Sequence, residues 1–520
     1  MNTYLGEKGY TIPKNELSIE KQIKIRNDLN IKPFTMGAPL NDTKSFPAYR
    51  ESPNKFYVPH YYGVQHFGTP KQYKISEGTD INLEFNGKLR ENQEIVVNTY
   101  LNHVKKVGFG GGLLELPCAY GKTVLSLNII SHLKKKTFII VHKEFLMNQW
   151  IERIHQFLPE ARVGKIQGPI IDIDDKDIVI GMLQSLSMKE YPASVFESFG
   201  LTIIDEVHHI SSEVFSNSLF KLVTKYMLGL SATMNRKDGT TSVFKMFLGD
   251  IIFKGKRDEE RDVTVRAIEY YVDDDDFNEV KLDYRGKPQY SSMISKLCEY
   301  NRRSEFILKI LSDMLKENPN QQVMILAHNK NLLKYLHDAI AHRNMATVGY
   351  YVGGMKESAL KETESKKVVI ATYAMAAEAL DIKSLTTLIM ATPKTDIEQS
   401  VGRILREKHS SPIVVDIVDS HDLFKNQWRK RKTFYKKENY KIIYTITSDY
   451  TTDLSTWTLI YDPNSKVCKP RKKKVISIKS NSSSDKSIAN DSESEDDNEE
   501  PEPASKKASK IADDVCFLKC

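Results

Sequence analysis

The 520-residue sequence predicts an α/β protein: parallel sheets flanked by helices, with a small N-terminal domain and a disordered charged C-terminal tail. Three observations carry that prediction. Short apolar runs alternate with helix-like stretches: "TFIIVH", "DIVIGML" and "LTIIDE", then "QQVMILAHN", "LTTLIMAT" and "SPIVVDIVD". Such strand–helix alternation argues for parallel sheets. Between Leu113 and Leu114 and the helix-like "VLSLNIISHL" lies "LPCAYGKT", Leu116 to Thr123, a phosphate-loop pattern. From about residue 465 onward Ser, Asn, Asp, Glu and Lys dominate, leaving too little to bury for a fold.

Composition sets the bounds. The chain is long enough for several domains with sizeable cores. Hydrophobic residues make up 40% and charged residues 28%, ordinary for a globular protein in water. A net charge of +7 leans toward an anionic partner such as nucleic acid. Five scattered cysteines show neither a disulfide framework nor zinc spacing, which predicts a reducing compartment. No basic start leads into an apolar block, and no stretch has the length and apolarity of a membrane span, so neither secretion nor a membrane partner is expected.

Residues 1–85 read as an accessory domain. Its "KFYVPHYYGVQHF" suits packing of a small β-rich unit, since few Lys or Arg accompany the aromatics. A groove that stacks bases is the other reading. Residues 86–258 form a first lobe. In it Ala119, Tyr120, Gly121, Lys122 and Thr123 make the phosphate loop. A helix N-terminus presents unpaired N–H groups to phosphates, Lys122 reaches the β/γ-phosphates, and the Thr123 hydroxyl suits magnesium. Leu146, Trp150 and Ile154 follow at helical spacing. "LTIIDEVHH" ends an apolar strand in two carboxylates: Asp205 to hold magnesium through water, Glu206 to polarise the attacking water. His208 and His209 lack partners at zinc-ligand spacing. Ser231, Ala232 and Thr233 end a further strand.

Residues 259–295 read as a linker, in which the four carboxylates Asp273 to Asp276 suit a solvated acidic turn rather than a calcium loop. Residues 296–464 form a second lobe with a basic, aromatic extension. "RRSEFILKILSDMLKE" is an amphipathic helix with Phe306, Ile310 and Leu311 on one side. In "DIEQSVGRILREKH", Ile397, Val401, Ile404 and Leu405 share an apolar face. Gln399, Arg403 and Arg406 share a polar one, and Gly402 allows close approach. Two arginines on one stripe suit a clamp on a γ-phosphate held by another lobe; the plainer reading is a surface helix. In the extension, Phe424, Trp428 and Tyr435 suit docking, and Arg429, Lys430, Arg431 and Lys432 suit the phosphate backbone. Residues 465–520 form the tail, basic at "KVCKPRKKKV" and acidic at "NDSESEDDNEEPEP".

Taken in order, these motifs resemble a superfamily 2 helicase from about Asn86 to Tyr440, with tandem RecA-like lobes. "LRENQ" resembles the adenine-reading element, which maps base recognition onto Gln93. "LPCAYGKT", "DEVHH", "SAT" and "QSVGRILR" resemble motifs I, II, III and VI. "VHKEFLMNQW" resembles motif Ia and "IGMLQSL" the next nucleic-acid contact. "IATYAMAAEALDI" resembles motif V. The branch most similar is the XPB type, together with the transcript-release DNA helicases of large nucleo-cytoplasmic DNA viruses. Ala119, Ala379 and Ser400 depart from the family pattern, and Lys237 departs from a triplet in which Arg236 and Asp238 match.

The resemblance implies ATP and Mg2+ as cofactors, 3′-to-5′ movement on DNA, and nucleic-acid contacts at Lys143, Gln184, Arg236 and Thr372. Asp381 would link such contacts to the ATP site. Catalysis would fall to Asp205, Glu206, Gln399, Arg403 and Arg406. It also implies a monomer, with viral RNA polymerase or transcription factors as partners. The setting would be the viral factory of the host cytoplasm and the virion, with the nucleus as a second compartment. A translocase without strand separation and an RNA helicase are the alternatives.

Overall fold

The computed structural model describes residues 1–34, 44–107, 110–117, 120–209, 212–234, 238–255, 262–378, 382–403 and 412–465. Two eight-stranded sheets dominate them. The first, edge to edge, runs Ile170–Ile171, Val163–Gln167, Ile178–Met182, Thr137–Val141, Leu201–Ile204, Tyr226–Ser231, Gly110–Glu115 and Ile251–Lys254. All neighbours are parallel except the short Ile170–Ile171 edge. The inner strands Thr137–Val141 and Leu201–Ile204 are buried at every residue, as expected of strands covered by helices on both faces.

The helices show why these segments coil. In Glu144–Phe157 the buried residues are Leu146, Met147, Trp150 and Ile154, one stripe at helical spacing. Asn301–Glu317 likewise buries Ile307, Ile310, Leu311 and Met314 toward the second sheet. That sheet runs Val348–Tyr351, Val368–Thr372, Gln322–Ala327, Leu385–Met390, Ile413–Asp419, Thr264–Tyr270, Lys441–Ile446 and Thr458–Tyr461. Only the last edge strand is antiparallel.

Here the structure corrects the sequence reading. Thr264–Tyr270, placed in a linker, pairs in parallel with Ile413–Asp419 on one side and Lys441–Ile446 on the other. Its alternating apolar residues belong to an inner strand of the second lobe. The acidic run after it includes a short helix, Asp275–Asn278, whose N-terminal Phe277 N–H is capped by the Asp274 carboxylate.

The N-terminal residues form a five-stranded sheet, Arg50–Glu51, Lys55–Val58, Gly9–Pro13, Tyr4–Gly6 and Gln72–Lys74. Its core includes Tyr10, Phe56, Val58 and Tyr62, and it packs against Val223 and Met246 of the first lobe. Gly63 is required there: a Cβ would sit 2.2 Å from the Tyr10 ring. Tyr61 hydrogen-bonds to the backbone of Gly111 in the first lobe. Of the two readings of "KFYVPHYYGVQHF", packing holds for these side chains. Met1–Ser465 make one compact unit, and the predicted tail from residue 466 lies outside the described residues.

Candidate functional site

The strand Gly110–Glu115 delivers the chain to the phosphate loop, and the helix Lys122–Leu133 begins directly after Gly121. Gly121 has φ +86°, left-handed backbone that a side chain resists, and a Cβ there would lie 2.3 Å from Gln93 Nε2. Gly121 is thus fixed by both conformation and space. Gln93 is buried; its Nε2 donates to the Tyr120 carbonyl at 2.8 Å and its Oε1 accepts from Arg90 N at 3.0 Å. Arg90 Nη2 donates to the same Tyr120 carbonyl at 2.6 Å. The residue mapped to base recognition therefore sits against the loop mapped to phosphates. Ala119 lies outside the described residues.

Across the sheet, the strand Leu201–Ile204 delivers Asp205 and Glu206 to the same end. Lys122 Nζ forms an ion pair with Glu206 Oε1. Glu206 is a non-glycine residue at φ +50°, a strained conformation that turns its carboxylate back over the helix start. Asp205 is buried, and Trp150 Nε1 donates to its Oδ2 at 2.9 Å. Burial raises the Asp205 pKa, the neighbouring Glu206 charge raises it further, and Lys122 opposes both.

A second link leads away from this pair. His208 Nδ1 lies 3.4 Å from Glu206 Oε2 and 2.6 Å from Ser231 Oγ. Ser231 is buried at the end of the strand Tyr226–Ser231, and its hydroxyl also hydrogen-bonds within the turn to Thr233. The carboxylate is thereby linked to the turn after the neighbouring strand. Neither the tryptophan nor the histidine link was predicted. Trp150 reads from sequence as core, and His208 was weighed only as a metal ligand.

The donor set fits magnesium. A threonine hydroxyl at a helix start and a desolvated carboxylate are hard oxygen donors, and two carboxylates face one ammonium, leaving a negative surplus. No cluster of three or more metal-ligating side chains occurs among the described residues.

Three of the predicted nucleic-acid residues, Lys143, Gln184 and Thr372, fall at or just beyond strand ends. Lys143 caps the helix Glu144–Phe157, just beyond Thr137–Val141. Gln184 lies in the first turn of the helix Leu183–Met188, after Ile178–Met182, the neighbouring parallel strand, and its Nε2 donates to the His142 carbonyl at 2.9 Å. The first lobe therefore brings Lys143 and Gln184 together. Thr372 is the last residue of the inner strand Val368–Thr372 of the second sheet.

The predicted arginine stripe is described only in part. The helix Glu398–Arg403 buries Val401 and Ser400, and Ile397 before it is buried too. The Arg403 and Gln399 side chains, and Arg236, Asp381 and Arg406 altogether, lie outside the described residues. Among the described residues, contacts between the lobes include Asn148 Nδ2 donating to Glu357 Oε2 at 3.1 Å and Phe145 packing against the cores of both.

One basic residue is corrected. Arg431, expected to face phosphate, is buried: its Nε and Nη2 donate to the Asp416 carboxylate at 2.8 Å each, and Tyr435 donates to the same group at 2.9 Å. Its neighbours Arg429 and Lys430 are exposed, while Phe424, Trp428 and Tyr435 dock the helix as expected.

Comparison with known proteins adds the following. A family model described as the type III restriction enzyme, res subunit, matches residues 86–236. A candidate ATP-dependent RNA helicase of Acanthamoeba polyphaga mimivirus is 35% identical over 459 residues, covering 85% of this chain and 86% of the relative. A candidate helicase of Invertebrate iridescent virus 6 is 27% identical over 387 residues, covering 70% and 85%. Among solved structures, the Pyrococcus furiosus Hef helicase domain aligns at 13% identity with a TM-score of 0.45, over 66% of this chain and 98% of that one.

Proposed function

Because the chain belongs to the superfamily 2 helicases, ATP-driven motors on nucleic acid with relatives in large DNA viruses and a phage, we propose that it moves 3′-to-5′ along DNA and serves viral transcription, in transcript release or termination. The single observation that carries the ATP chemistry is the convergence of Lys122, Asp205 and Glu206 at the start of one helix. In the proposed cycle Lys122 exchanges its pairing with Glu206 for the nucleotide's β/γ-phosphates, and the backbone N–H groups of the helix start hold the phosphates. Release leaves Glu206 free to orient the attacking water. Asp205, held by Trp150, and Thr123 would hold magnesium, which neutralises phosphate charge when bound. Gln93 reads adenine from beside the loop.

Arg403 and Arg406 complete the charge from the second lobe; a finger of this kind contributes roughly 10³–10⁵ in rate. The link from Glu206 through His208 to Ser231 carries the state of the phosphate to the neighbouring loop. Lys143, Gln184 and Thr372, on the strand ends of the two lobes, then take turns on one strand's backbone, which gives movement without base selectivity. The relatives point to a viral setting; within it the host cytoplasm and the virion are the proposed compartments, with the nucleus as a second.

RNA is the second reading of the substrate, favoured by the mimivirus relative, whose name specifies RNA. The deciding measurement is ATP turnover with single-stranded DNA, duplex DNA and RNA. Stimulation by DNA above RNA is expected; stimulation by RNA alone would replace DNA with RNA in this account.

A further inference from the structure

Beyond the inner strand Thr264–Tyr270 and the short helix Asp275–Asn278, the chain leaves the second lobe as a hairpin over residues 280–289. Leu282 and Pro288 pair across it. Asp283 N donates to Lys287 O at 2.7 Å, and Gln289 N to Lys281 O at 2.8 Å. The Asp283 carboxylate accepts from Arg285 N at 2.8 Å and Lys287 N at 2.9 Å, and Gly286 closes the turn with φ +71°. The projection is therefore an ordered turn. Yet it presents apolar side chains to water: Tyr284 is 86% exposed and Leu282 57%. Arg285 lies 4.9 Å from the Tyr284 ring, and Lys281 and Lys287 are exposed on the flanks. The one carboxylate within it, Asp283, is committed to the turn.

Its root is firm and well placed. Phe277 is fully buried, Lys281 N donates to Met293 Sδ at 3.3 Å, and Lys296 Nζ donates to the Glu279 carbonyl at 2.6 Å. Tyr290, at the hairpin's end, donates to the Pro393 carbonyl at 3.2 Å, and Tyr373 donates to the adjacent Thr392 carbonyl at 2.5 Å. Tyr373 directly follows Thr372. Two hydrogen bonds thus tie the hairpin to the strand end that is assigned to the nucleic-acid backbone.

We propose that residues 280–289 form a strand-separating pin, in which Tyr284 stacks on the base at a duplex junction while Lys281, Arg285 and Lys287 hold its phosphates. The proposal rests on the reading of the chain as a nucleic-acid motor. Charge complementarity selects the occupant: three cations around an aromatic tip suit an anionic polymer of stackable bases. Stacking on one ring is of the same order as one base-pair step, so it offsets the opening of a pair at the junction. A pin anchored beside Thr372 would stay in place while the motor pulls one strand past it.

The test uses the full chain with Tyr284→Ala and Tyr284→Phe. ATP turnover stimulated by single-stranded DNA is measured beside displacement of a labelled strand from a duplex with a 3′ overhang. Tyr284→Ala should slow displacement about tenfold with stimulated turnover unchanged, and Tyr284→Phe, which keeps the ring, should displace normally. Wild-type displacement by Tyr284→Ala would overturn the pin. So would a wild-type chain that turns over ATP on DNA yet displaces nothing, which leaves the motor reading intact. Failure of the motor reading shows elsewhere: no nucleic acid would stimulate the wild-type chain at all, and the pin would fall with it.

Discussion

Asp205 shows function and stability pulling against each other at one residue. Its carboxyl is buried, and its pKa is raised by that burial and by Glu206. Between the unfolded and folded pKa values the native state binds more protons than the unfolded one. Stability therefore falls as pH rises through that window. Asp205→Asn keeps an oxygen for the Trp150 N–H but removes the buried charge. It should raise stability at pH 7 by on the order of 1 kcal/mol, within the range that stabilising substitutions reach, while abolishing ATP turnover. A denaturation midpoint unchanged or lowered in the nucleotide-free protein would contradict the argument. Lys122→Ala should likewise abolish turnover, read as phosphate release from a folded protein; retained turnover would dismiss the phosphate-loop assignment. These residues were legible because local chemistry marks them: Gly-Lys-Thr before a helix, two carboxylates ending an apolar strand. Trp150 was not. It sits in an ordinary apolar pattern, and only the fold brings it to a carboxylate from elsewhere in the chain.

Among the elements, the helix Asp422–Lys437 separates what a charge run shows from what it hides. The sequence "WRKRK" offers four cations in a row, and nothing local distinguishes them. The helix turns Arg431 inward to the Asp416 carboxylate, with Arg429 and Lys430 outward. Removing one partner of a buried pair leaves the other charge stranded. Arg431→Ala should therefore cost about 3–5 kcal/mol, whereas the exposed Lys430→Ala should change stability by less than about 0.5 kcal/mol. Urea unfolding of the two variants makes the comparison, and equal midpoints would refute it. Arg303 repeats the pattern, fully buried against Asp419 at 2.6 Å, within a helix whose apolar stripe was read correctly. Strands were the most legible elements because their buried runs are mostly apolar. Thr264–Tyr270 was misplaced because the acidic residues after it resemble a hinge, while its strand partners lie far along the chain.

At the scale of the whole molecule, turnover depends on how the two lobes meet, and no periodicity in the sequence reports that. Phe145 lies two residues beyond Lys143 and packs against the cores of both lobes. Close by, Asn148 reaches Glu357 of the second lobe. Apolar surface shared across a cleft favours the closed arrangement, and closure is what assembles a site split between two lobes. Truncating Phe145 to Ala removes that shared surface without opening either sheet. If the lost contact is worth about 1 kcal/mol in the closing equilibrium, the apparent KM for ATP should rise about fivefold. Lobe stability should be nearly unchanged, because Phe145 is only partly buried. The expected signature is a higher KM with an unshifted melting temperature, and it separates a closing role from a structural one. A lowered melting temperature with an unchanged KM would mean that Phe145 supports its own helix, and that the lobes close through other contacts.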